Sequence, residues 1–455
     1  MAEKKLLTAP IPTDKMPPAV PYIIGNEMAE RFSFYGFAAI LTIYLNQHLG
    51  MSEVDAKAEY HDFKSLAYFF PLLGSLIADV LWGKYRTIFY LSLVYCLGHL
   101  VLSVQENRFG VTAGLFLIAL GAGGIKPCVS SNVGDQFGPK NAHLIPKVYG
   151  WFYFSINFGS FFSTLLTPKL LSGFELGSFK FAGSPGWAFG IPGILMAVAT
   201  LVFWLGRYKY VHVPPGGTAV VKEALSGEGL RALSRLAILF VFVAMFWALY
   251  DQMSSAWVLQ AVKMDRVLWE GFEVDAAQTH VLNPVLILIF IPLFTYIVYP
   301  AISKIFPLTP LRKIGIGMVL TAASFMISAH IENLLAATAL GAPKPWVMWQ
   351  VPAYMLMTAA EAMISITCLE FSYTQAPTRT KSMVMSVYLL SVALGNQFTS
   401  LVNKFYGELL TGANYYWVFV GLMLATFAIY VPYSLTYRGR TYIQGEAPAD
   451  SADST

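Results

Sequence analysis

Long apolar stretches separated by short polar segments are the main feature of the hydropathy pattern of this chain. Twelve of them reach roughly 20 residues, the length that a helix needs to cross the hydrocarbon core of a bilayer. They lie near residues 21–47, 59–82, 87–104, 111–132, 146–168, 187–206, 236–262, 280–301, 314–331, 346–375, 382–403 and 415–437. The pattern therefore predicts an all-α membrane protein with twelve transmembrane helices.

The longest polar segment lies near the middle of the chain, at residues 208–235, and is rich in proline and glycine. It separates six predicted helices from six others. Two six-helix halves are typical of transporters whose halves rock about a site near the bilayer midplane. The predicted organisation is a cytoplasmic tail (1–20), a six-helix bundle (21–207), a cytoplasmic linker (208–235), a second six-helix bundle (236–437) and a cytoplasmic tail (438–455).

The composition also indicates a membrane protein. Charged residues make up 12% of the chain, hydrophobic residues make up 56%, and the mean hydropathy is +0.56. Soluble domains carry about 25% charged residues, so this composition excludes an ordinary soluble enzyme. It also excludes a disordered protein, which needs the opposite composition. The small net charge of +4 gives no indication of a nucleic-acid partner.

The distribution of basic residues predicts the orientation. Of the 30 Lys and Arg residues, 19 fall in segments on the same side of the membrane as the termini and 8 fall on the other side. Basic residues favour the cytoplasmic side. The polar, proline-rich start of the chain does not resemble a signal peptide. We therefore expect a multi-pass protein of the plasma (cell inner) membrane with both termini in the cytoplasm.

Three charged residues lie inside the first predicted helix, where a charge near the bilayer centre costs about 2.5–3.5 kcal/mol. They are Glu27, Glu30 and Arg31. Glu27 and Arg31 are one helical turn apart and therefore share a face. Two acids and one base leave the helix with a net negative charge, so we expect the unpaired acid either to hold a proton more readily than usual or to find a cation elsewhere in the fold.

Further polar groups lie near the middle of other predicted helices. Lys126, Asn157, Asp251 and Glu361 are each roughly 11–15 residues into their helices, which is close to the midplane. Buried ion pairs can serve only to fix helix packing. Polar groups that come from both halves and reach a similar depth favour a functional site instead.

Two more groups of charges lie on the second predicted helix or just after it. His61 begins this helix near the outer surface, where simple solvation competes with proton sensing as its explanation. Lys64 is one turn deeper, and we expect its side chain to extend outward to the surface. At the cytoplasmic end, Asp79 with Lys84 and Arg86 can form a latch that closes that face, or can simply anchor the helix at the interface.

Several motifs resemble those of the proton-dependent oligopeptide transporter (POT/PTR) family. Residues 27–36, EMAERFSFYG, resemble the ExxERFxYYG motif of its first helix. GIKPC at 124–128 with GDQF at 134–137, FYFSINFGS at 152–160 and FWALYDQ at 246–252 resemble the signatures of its fourth, fifth and seventh helices. The glycines around Asp79 fit the wider major facilitator superfamily. The resemblance covers nearly the whole chain.

The resemblance implies a major facilitator fold and a proton-coupled symporter that imports di- and tripeptides by alternating access. It implies that Lys126 faces the peptide carboxylate and that Glu361 holds the peptide amino terminus. The residues that it places in proton coupling are Glu27, Glu30, Arg31, His61, Lys126 and Asp251. Those that it places in peptide binding are Arg31, Tyr35, Tyr68, Lys126, Asn157, Trp247, Asn283, Glu361 and Tyr388.

The chain departs from the family pattern at a few positions. Phe34 replaces the first tyrosine of the tandem pair, so one hydroxyl is missing, and Tyr388 stands where tryptophan is frequent. The two additional helices that are common in bacterial members are not predicted, because 208–235 is too polar to span a membrane.

Other functions have less support. The same fold could carry another small substrate, such as nitrate or an amino-acid conjugate, although the acidic Glu361 disfavours a simple anion. The chain has no HExxH or GxSxG motif, so we expect no enzyme activity. A non-transporting receptor would not need the intramembrane charges. We expect no cofactor and no metal, protons as the coupling ion, short peptides and the lipid bilayer as partners, no nucleic acid, and a monomer.

Overall fold

The computed structural model of the protein describes residues 6–176, 178–218, 222, 226–270, 272–375 and 381–437. Its first half contains α1 (Val20–Ile43), α2 (Glu53–Leu76), α3 (Lys84–Val104), α4 (Arg108–Gly134), α5 (Ile145–Ser172) and α6 (Pro185–Leu205). Its second half contains α7 (Gly227–Tyr250), α8 (Ala256–Lys263), α9 (Leu282–Leu293), α10 (Tyr299–Ser303), α11 (Pro310–Thr338), α12 (Val351–Gln375), α13 (Lys381–Tyr406) and α14 (Ala413–Thr436).

Short elements extend or connect these helices. π-Helical turns continue α1 to His48 and α2 to Trp82, a 3₁₀ turn (Asp251–Ser254) joins α7 to α8, and a π-helical turn (Phe294–Val298) joins α9 to α10. Two antiparallel hairpins lie in loops: β1 (Phe174–Leu176) pairs with β2 (Phe179–Phe181), and β3 (Val267–Trp269) pairs with β4 (Phe272–Glu273).

The predicted all-α membrane fold is confirmed. Within the described ranges, the long helices form twelve successive segments when α7 is joined to α8 and α9 to α10. Nine of these segments are long and apolar enough to cross a membrane. The other three are α1, α5 and α13, which bury polar side chains inside the protein. Examples are Glu27 and Glu30 on α1, Ser163 and Thr164 on α5, and Asn396 and Asn403 on α13.

Some predicted boundaries differ from those in the structure. The linker was predicted to extend to residue 235, but α7 begins at Gly227. The first residues of α7 are mostly polar, so the hydropathy pattern places the helix start too late. Helix α2 similarly begins at Glu53, six residues before the apolar stretch. Within the linker, residues 219–221 and 223–225 lie outside the described residues, as do residues 1–5 and the C-terminal tail from residue 438 onward.

The apolar residues form one main core in each half. The first core is built largely from residues between Ala19 and Val211, and the second from residues between Leu236 and Tyr430. The halves meet where α2 packs against α13. We call the end of the bundle opposite the linker the outer end, because the distribution of basic residues predicts that it is extracellular.

A close helix contact fixes the position of α4 beside α2. A Cβ atom added to Gly74 of α2 would lie 2.3 Å from the Cα atom of Gly124 in α4. No side-chain rotation can relieve a clash with a backbone atom, so any larger residue must push the two helices apart. The contact lies only two residues before Lys126 and therefore sets the depth and direction of that side chain.

We therefore expect Gly74→Ala to destabilise the protein by about 1–3 kcal/mol, the usual cost of overpacking a core. Thermal unfolding in detergent should show a lower midpoint. The matched control is Gly421→Ala on α14, where an added Cβ atom meets nothing within 4 Å. An equal midpoint for the two variants would contradict the proposed role of the α2–α4 contact.

Candidate functional site

A central cavity of about 200 Å³ lies between the two halves. Its walls carry charged, hydroxyl, amide and aromatic groups, which suits a polar ligand with apolar side groups. Both halves contribute to the lining: Tyr35, Ala38, Tyr60, Lys64, Tyr68, Tyr153, Ile156, Asn157 and Ser160 come from the first, and Trp247, Tyr250, Asp251, Ser254, His280, Asn283, Pro284, Ile287, Glu361 and Ser365 come from the second.

Glu361 is one of two acidic groups that the second half contributes to the cavity wall, and the other, Asp251, is paired with Lys64. The Oε2 atom of Glu361 accepts a hydrogen bond of 2.7 Å from Nδ2 of Asn283, and the same amide group donates to Oγ1 of Thr358 at 3.1 Å. The Tyr250 hydroxyl donates to Oδ1 of Asn283 at 3.3 Å. Among the residues that the structure describes, no cation pairs with Glu361. Asn283 thus holds the Glu361 carboxylate in place, and no cationic side chain in the described ranges balances its charge.

The facing wall is largely aromatic. Tyr35 and Tyr68 line it from the first half, and the second half adds the ring of Trp247 to the cavity. Asn157 also lines the cavity, with its Nδ2 atom donating to the Tyr153 carbonyl oxygen at 2.9 Å. The Trp247 indole N–H is buried and has no hydrogen-bond partner within the described part of the chain. Flat rings of this kind can contact side chains of different shapes without requiring one of them.

The charges of the first helix form a compact cluster behind this wall. Nε of Arg31 lies 2.6 Å from Oε1 of Glu27 and 3.3 Å from Oε2 of Glu30. Both acids are fully buried. The ammonium group of Lys126 lies near enough to interact electrostatically with them. Lys126 is therefore the cation that one of the two alternatives for this helix predicted, and the four charges balance.

Lys126 is held by aromatic rings instead of by a hydrogen-bonding partner. Its Nζ atom lies 3.4 Å from the centroid of the Phe34 ring and 4.4 Å from that of Tyr68. No hydrogen-bond acceptor contacts this atom in the described ranges. Phe34, the residue that departs from the family motif, thus offers a ring face where the family offers a phenol. A cation held this way is free to bind an anion that comes near.

Three of the predicted peptide-binding residues do not line the cavity in this conformation. Arg31 lies one turn before Tyr35 on α1, and Lys126 contacts the ring of Tyr68, but neither residue belongs to the lining. Tyr388 lies one layer behind the opposite wall, where its hydroxyl is 3.2 Å from Oγ of Ser365. The other predicted residues, Tyr35, Tyr68, Asn157, Trp247, Asn283 and Glu361, line the cavity directly.

An ion pair joins the two halves beside the cavity. Nζ of Lys64 on α2 lies 2.9 Å from Oδ1 of Asp251, and both side chains are buried. The expectation that Lys64 extends outward to the surface is therefore wrong. Its side chain turns inward because the carboxylate of the other half offers a partner that the apolar outer path does not.

His61 is fully buried, so the interpretation as a solvated surface residue is wrong. Its Nδ1 atom lies 2.7 Å from Oδ1 of Asn396, and its Nε2 atom lies 2.9 Å from Oγ of Ser255. The Asn396 amide in turn donates to Oδ2 of Asp251 at 2.6 Å. A continuous polar chain thus connects Ser255, His61, Asn396, Asp251 and Lys64.

This chain determines the tautomer of the histidine. Asp251 can only accept, so Asn396 must present its N–H₂ group to it and its oxygen to His61. Nδ1 of His61 therefore carries a proton, and in the neutral ring Nε2 is the acceptor of the Ser255 hydroxyl. A second proton can be added only at Nε2, which would require Ser255 to rotate and accept a hydrogen bond.

The end of α2 next to the linker is held differently from the predicted latch. Nζ of Lys84 pairs with Oδ2 of Asp135 at 2.7 Å, whereas Asp79 contributes its backbone carbonyl, which accepts a hydrogen bond of 2.8 Å from Gly216. Arg86 is exposed. The linker is also held against this end, because the Val211 amide donates to Oε1 of Gln136 at 2.9 Å. A gating role for Asp79, Lys84 and Arg86 stays a prediction.

Sequence reasoning missed several residues of these networks. Tyr153 and Tyr250 lie in the fifth- and seventh-helix motifs. The aromatic residues that recur beside polar ones in those motifs could have identified both tyrosines. Asp135 lies in the GDQF part of the fourth-helix motif. Nothing in the local sequence distinguishes Asn396 or Ser255, because Asn396 reaches His61 only through the packing of α13 against α2, and Ser255 reaches it only through the tertiary fold.

The family model of the POT family matches residues 85–226 and 218–418. The chain belongs to the POT family. "Peptide transporter family 1" of Drosophila melanogaster is 39% identical over 367 residues, which cover 72% of this chain and 48% of that protein. "Solute carrier family 15 member 2" of Homo sapiens is 38% identical over 376 residues, covering 72% and 51% respectively. The chain therefore spans about half the length of the curated relatives it matches.

Solved POT-family structures share the fold. The crystal structure of an auto-inhibited POT family peptide transporter matches with a TM-score of 0.83 and 33% identity, covering 95% of this chain and 99% of that one. An in meso structure of a POT family transporter gives a TM-score of 0.81 and 35% identity, covering 93% and 99%. The chain thus has the major facilitator fold of a multi-pass membrane transporter family, which is not a class of enzymes.

Proposed function

We propose that this POT-family member is a proton-coupled symporter that imports di- and tripeptides by alternating access. One observation carries the proposal: Glu361 faces the central cavity with hydrogen-bond donors around it and, in the described part of the chain, without a cation. A buried carboxylate in this state favours a ligand with a positive charge. The α-amino group of a peptide supplies that charge for peptides of any sequence.

The opposite end of the peptide requires a cation in the first half. Lys64 lines the cavity but is already paired with Asp251. Lys126 lies against the Tyr68 ring and has no hydrogen-bond acceptor of its own among the described residues, and Arg31 is the other cation of the same cluster. A small movement of the Tyr68 ring would expose the ammonium group of Lys126 to a peptide carboxylate. Recognition of the two charged ends, with aromatic walls between them, would allow many side chains to bind.

Proton coupling requires that peptide binding and protonation both alter the contacts between the halves. Two polar networks are suited to this. The Glu27–Glu30–Arg31–Lys126 cluster would lose its charge balance when a peptide carboxylate engages Lys126, and a proton on either acid would restore it. The His61–Asn396–Asp251–Lys64 chain joins the halves directly, and protonation of His61 would alter it.

The alternative substrates of this fold, nitrate and amino-acid conjugates, can be separated by competition. Purified protein in liposomes should take up labelled dialanine under an inward proton gradient. Unlabelled di- and tripeptides should compete strongly, whereas single amino acids and nitrate should not. Competition by nitrate with none by tripeptides would contradict the peptide assignment and favour the alternative.

The cellular setting is part of the proposal. The 19 to 8 distribution of basic residues supports a plasma-membrane protein with both termini in the cytoplasm. Each half buries its own apolar core, and the cavity is formed within one chain, which supports a monomer as the transporting unit. The lipid bilayer and protons are the remaining proposed partners.

His61→Gln should flatten the pH dependence of uptake. Glutamine can keep hydrogen bonds to Asn396 and Ser255, but it cannot accept the second proton at the position of Nε2. Uptake of dialanine should therefore lose most of its rise toward acidic pH while retaining activity at neutral pH. The measurement is initial uptake into proteoliposomes across external pH.

The matched control for this prediction is His330→Gln. His330 lies on the exposed surface of α11, with its ring edge-on to that of Trp349. This variant should keep the pH profile of the original protein. An unchanged profile in His61→Gln would show that His61 has a packing role only.

A further inference from the structure

A second polar cavity, of about 250 Å³, lies at the outer end on the seam between the halves. It is separate from the central cavity, with which it shares no lining residue. The first half contributes Glu53, Val54 and Lys57 from the start of α2. The lining from the second half includes Gln260, Lys263, Glu332 and Tyr415.

Lys57 is the cationic group of this outer cavity. It is 8% exposed, and its Nζ atom lies 3.9 Å from the centroid of the Tyr415 ring. Within the described residues it forms no ion pair and no hydrogen bond. Lys57 therefore keeps its ammonium group on a ring face inside the cavity although acids are nearby. This is the state of a cation that an incoming carboxylate can bind.

Glu332 is the acidic group, and it belongs to the other half. Its Oε1 atom accepts a hydrogen bond of 2.9 Å from Nε2 of Gln260, which is itself buried and donates further to the Ser328 carbonyl oxygen at 3.0 Å. No cation pairs with Glu332 in the described part of the chain. The amide thus holds the carboxylate in place, and the second carboxylate oxygen has no hydrogen-bond partner among the described residues that would compete with a ligand.

The remaining charges close the rim. Lys263 and Glu53 form an ion pair of 2.8 Å across the seam, and both side chains are 44% exposed. Because these two charges satisfy each other, they leave Lys57 and Glu332 as the groups available to a ligand. The outer cavity thus offers one cation and one carboxylate that form no ion pair within the described ranges, which suits a small molecule that carries both charges.

We infer that this outer cavity is a binding site for a small zwitterion, such as a free neutral amino acid, whose carboxylate binds Lys57 and whose ammonium group binds Glu332. The two charges come from different halves, as in the central site. A ligand here bridges α2 to α8, α11 and α14, and it can do so only while the outer end is closed. Binding therefore stabilises the conformation that is closed at the outer end.

Equilibrium binding of labelled L-alanine to the purified full chain tests this inference without any transport measurement. We expect saturable binding that Lys57→Met and Glu332→Gln each weaken at least about tenfold, because each removes one charge-assisted contact. Lys57→Arg should retain most of the binding. Glu361→Gln, in the central site, and Lys180→Met, on an exposed hairpin, should leave it unchanged. Failure of the proposed peptide transport would not affect these results.

The chemistry of the ligand is tested with two partial analogues. Propionate carries only the carboxylate and ethylamine only the ammonium group, so neither should displace alanine at comparable concentration. L-Alanine should also raise the thermal unfolding midpoint of the original protein but not that of Lys57→Met. Loss of alanine binding in Glu361→Gln with full binding in Lys57→Met would overturn the inference, as would equal displacement by propionate or no binding at millimolar alanine.

Discussion

Lys126→Ala is expected to abolish peptide uptake driven by a pH gradient while exchange of peptide across the membrane continues. Lys126 and Arg31 together balance the two buried acids of the first helix, and Lys126 is the cation proposed to bind the carboxylate end of the peptide. Without it, peptide binding no longer changes the charge of the acid cluster, so proton and peptide movements become independent. We expect concentrative uptake to fall by at least about tenfold, within the range of a typical coupling free energy.

Proteoliposomes provide both readouts in one preparation. Concentrative uptake is measured with an imposed inward proton gradient, and exchange is measured with unlabelled peptide inside and labelled peptide outside at equal pH. Lys180→Ala, which removes an exposed lysine paired with Glu175, is the control and should change neither readout. Normal gradient-driven accumulation in Lys126→Ala would rule out the coupling role.

Glu361→Gln is expected to weaken the binding of peptides with a free amino terminus far more than the binding of peptides whose amino terminus is acetylated. Glutamine preserves the size of the side chain and its ability to accept from Asn283, but removes the negative charge. A hydrogen bond to a charged group contributes about 1.5–3 kcal/mol, so the affinity for free peptides should fall roughly 10- to 100-fold. The affinity for acetylated peptides should change little, because they carry no amino-terminal charge.

Competition against labelled dialanine gives both affinities. The acetylated peptide serves as an internal control for damage to the cavity as a whole. Equal losses for the two peptides would mean that Glu361 supports the structure of the site and does not read the amino terminus. The control variant Glu175→Gln, which removes an acid on the exposed hairpin, should leave the affinity for both peptides unchanged.

The sequence was sufficient for the fold class and for six of the predicted peptide-binding residues, which line the cavity. In the described ranges, nine of the twelve helical segments follow from hydropathy, because each crossing must satisfy its backbone hydrogen bonds within an apolar segment. Tyr35, Asn157, Trp247 and Glu361 lie within helices whose motifs or depth identify them, and all four line the cavity. Local sequence is informative here because residue depth along a membrane helix is nearly proportional to residue number.

The direction of side chains was harder to predict. Lys64 was expected to extend to the surface and His61 to be solvated, yet both are buried against the other half. Their partners, Asp251 and Asn396, lie far along the chain, so only tertiary packing reveals them. The sequence also does not show that Lys84 pairs with Asp135 and not with Asp79. That pairing depends on the path of the loop after α4, which hydropathy does not describe.

Proton-driven accumulation of a dipeptide tests the central proposal most directly. The purified protein is reconstituted in liposomes, and labelled dialanine is followed with an inward proton gradient, with no gradient, and with a gradient plus a protonophore. A single proton moving through 100 mV supplies about 2.3 kcal/mol, so the internal concentration should rise several-tens-fold above the external one only when the gradient is maintained. Equal internal and external concentrations with the gradient intact would contradict proton-coupled peptide symport.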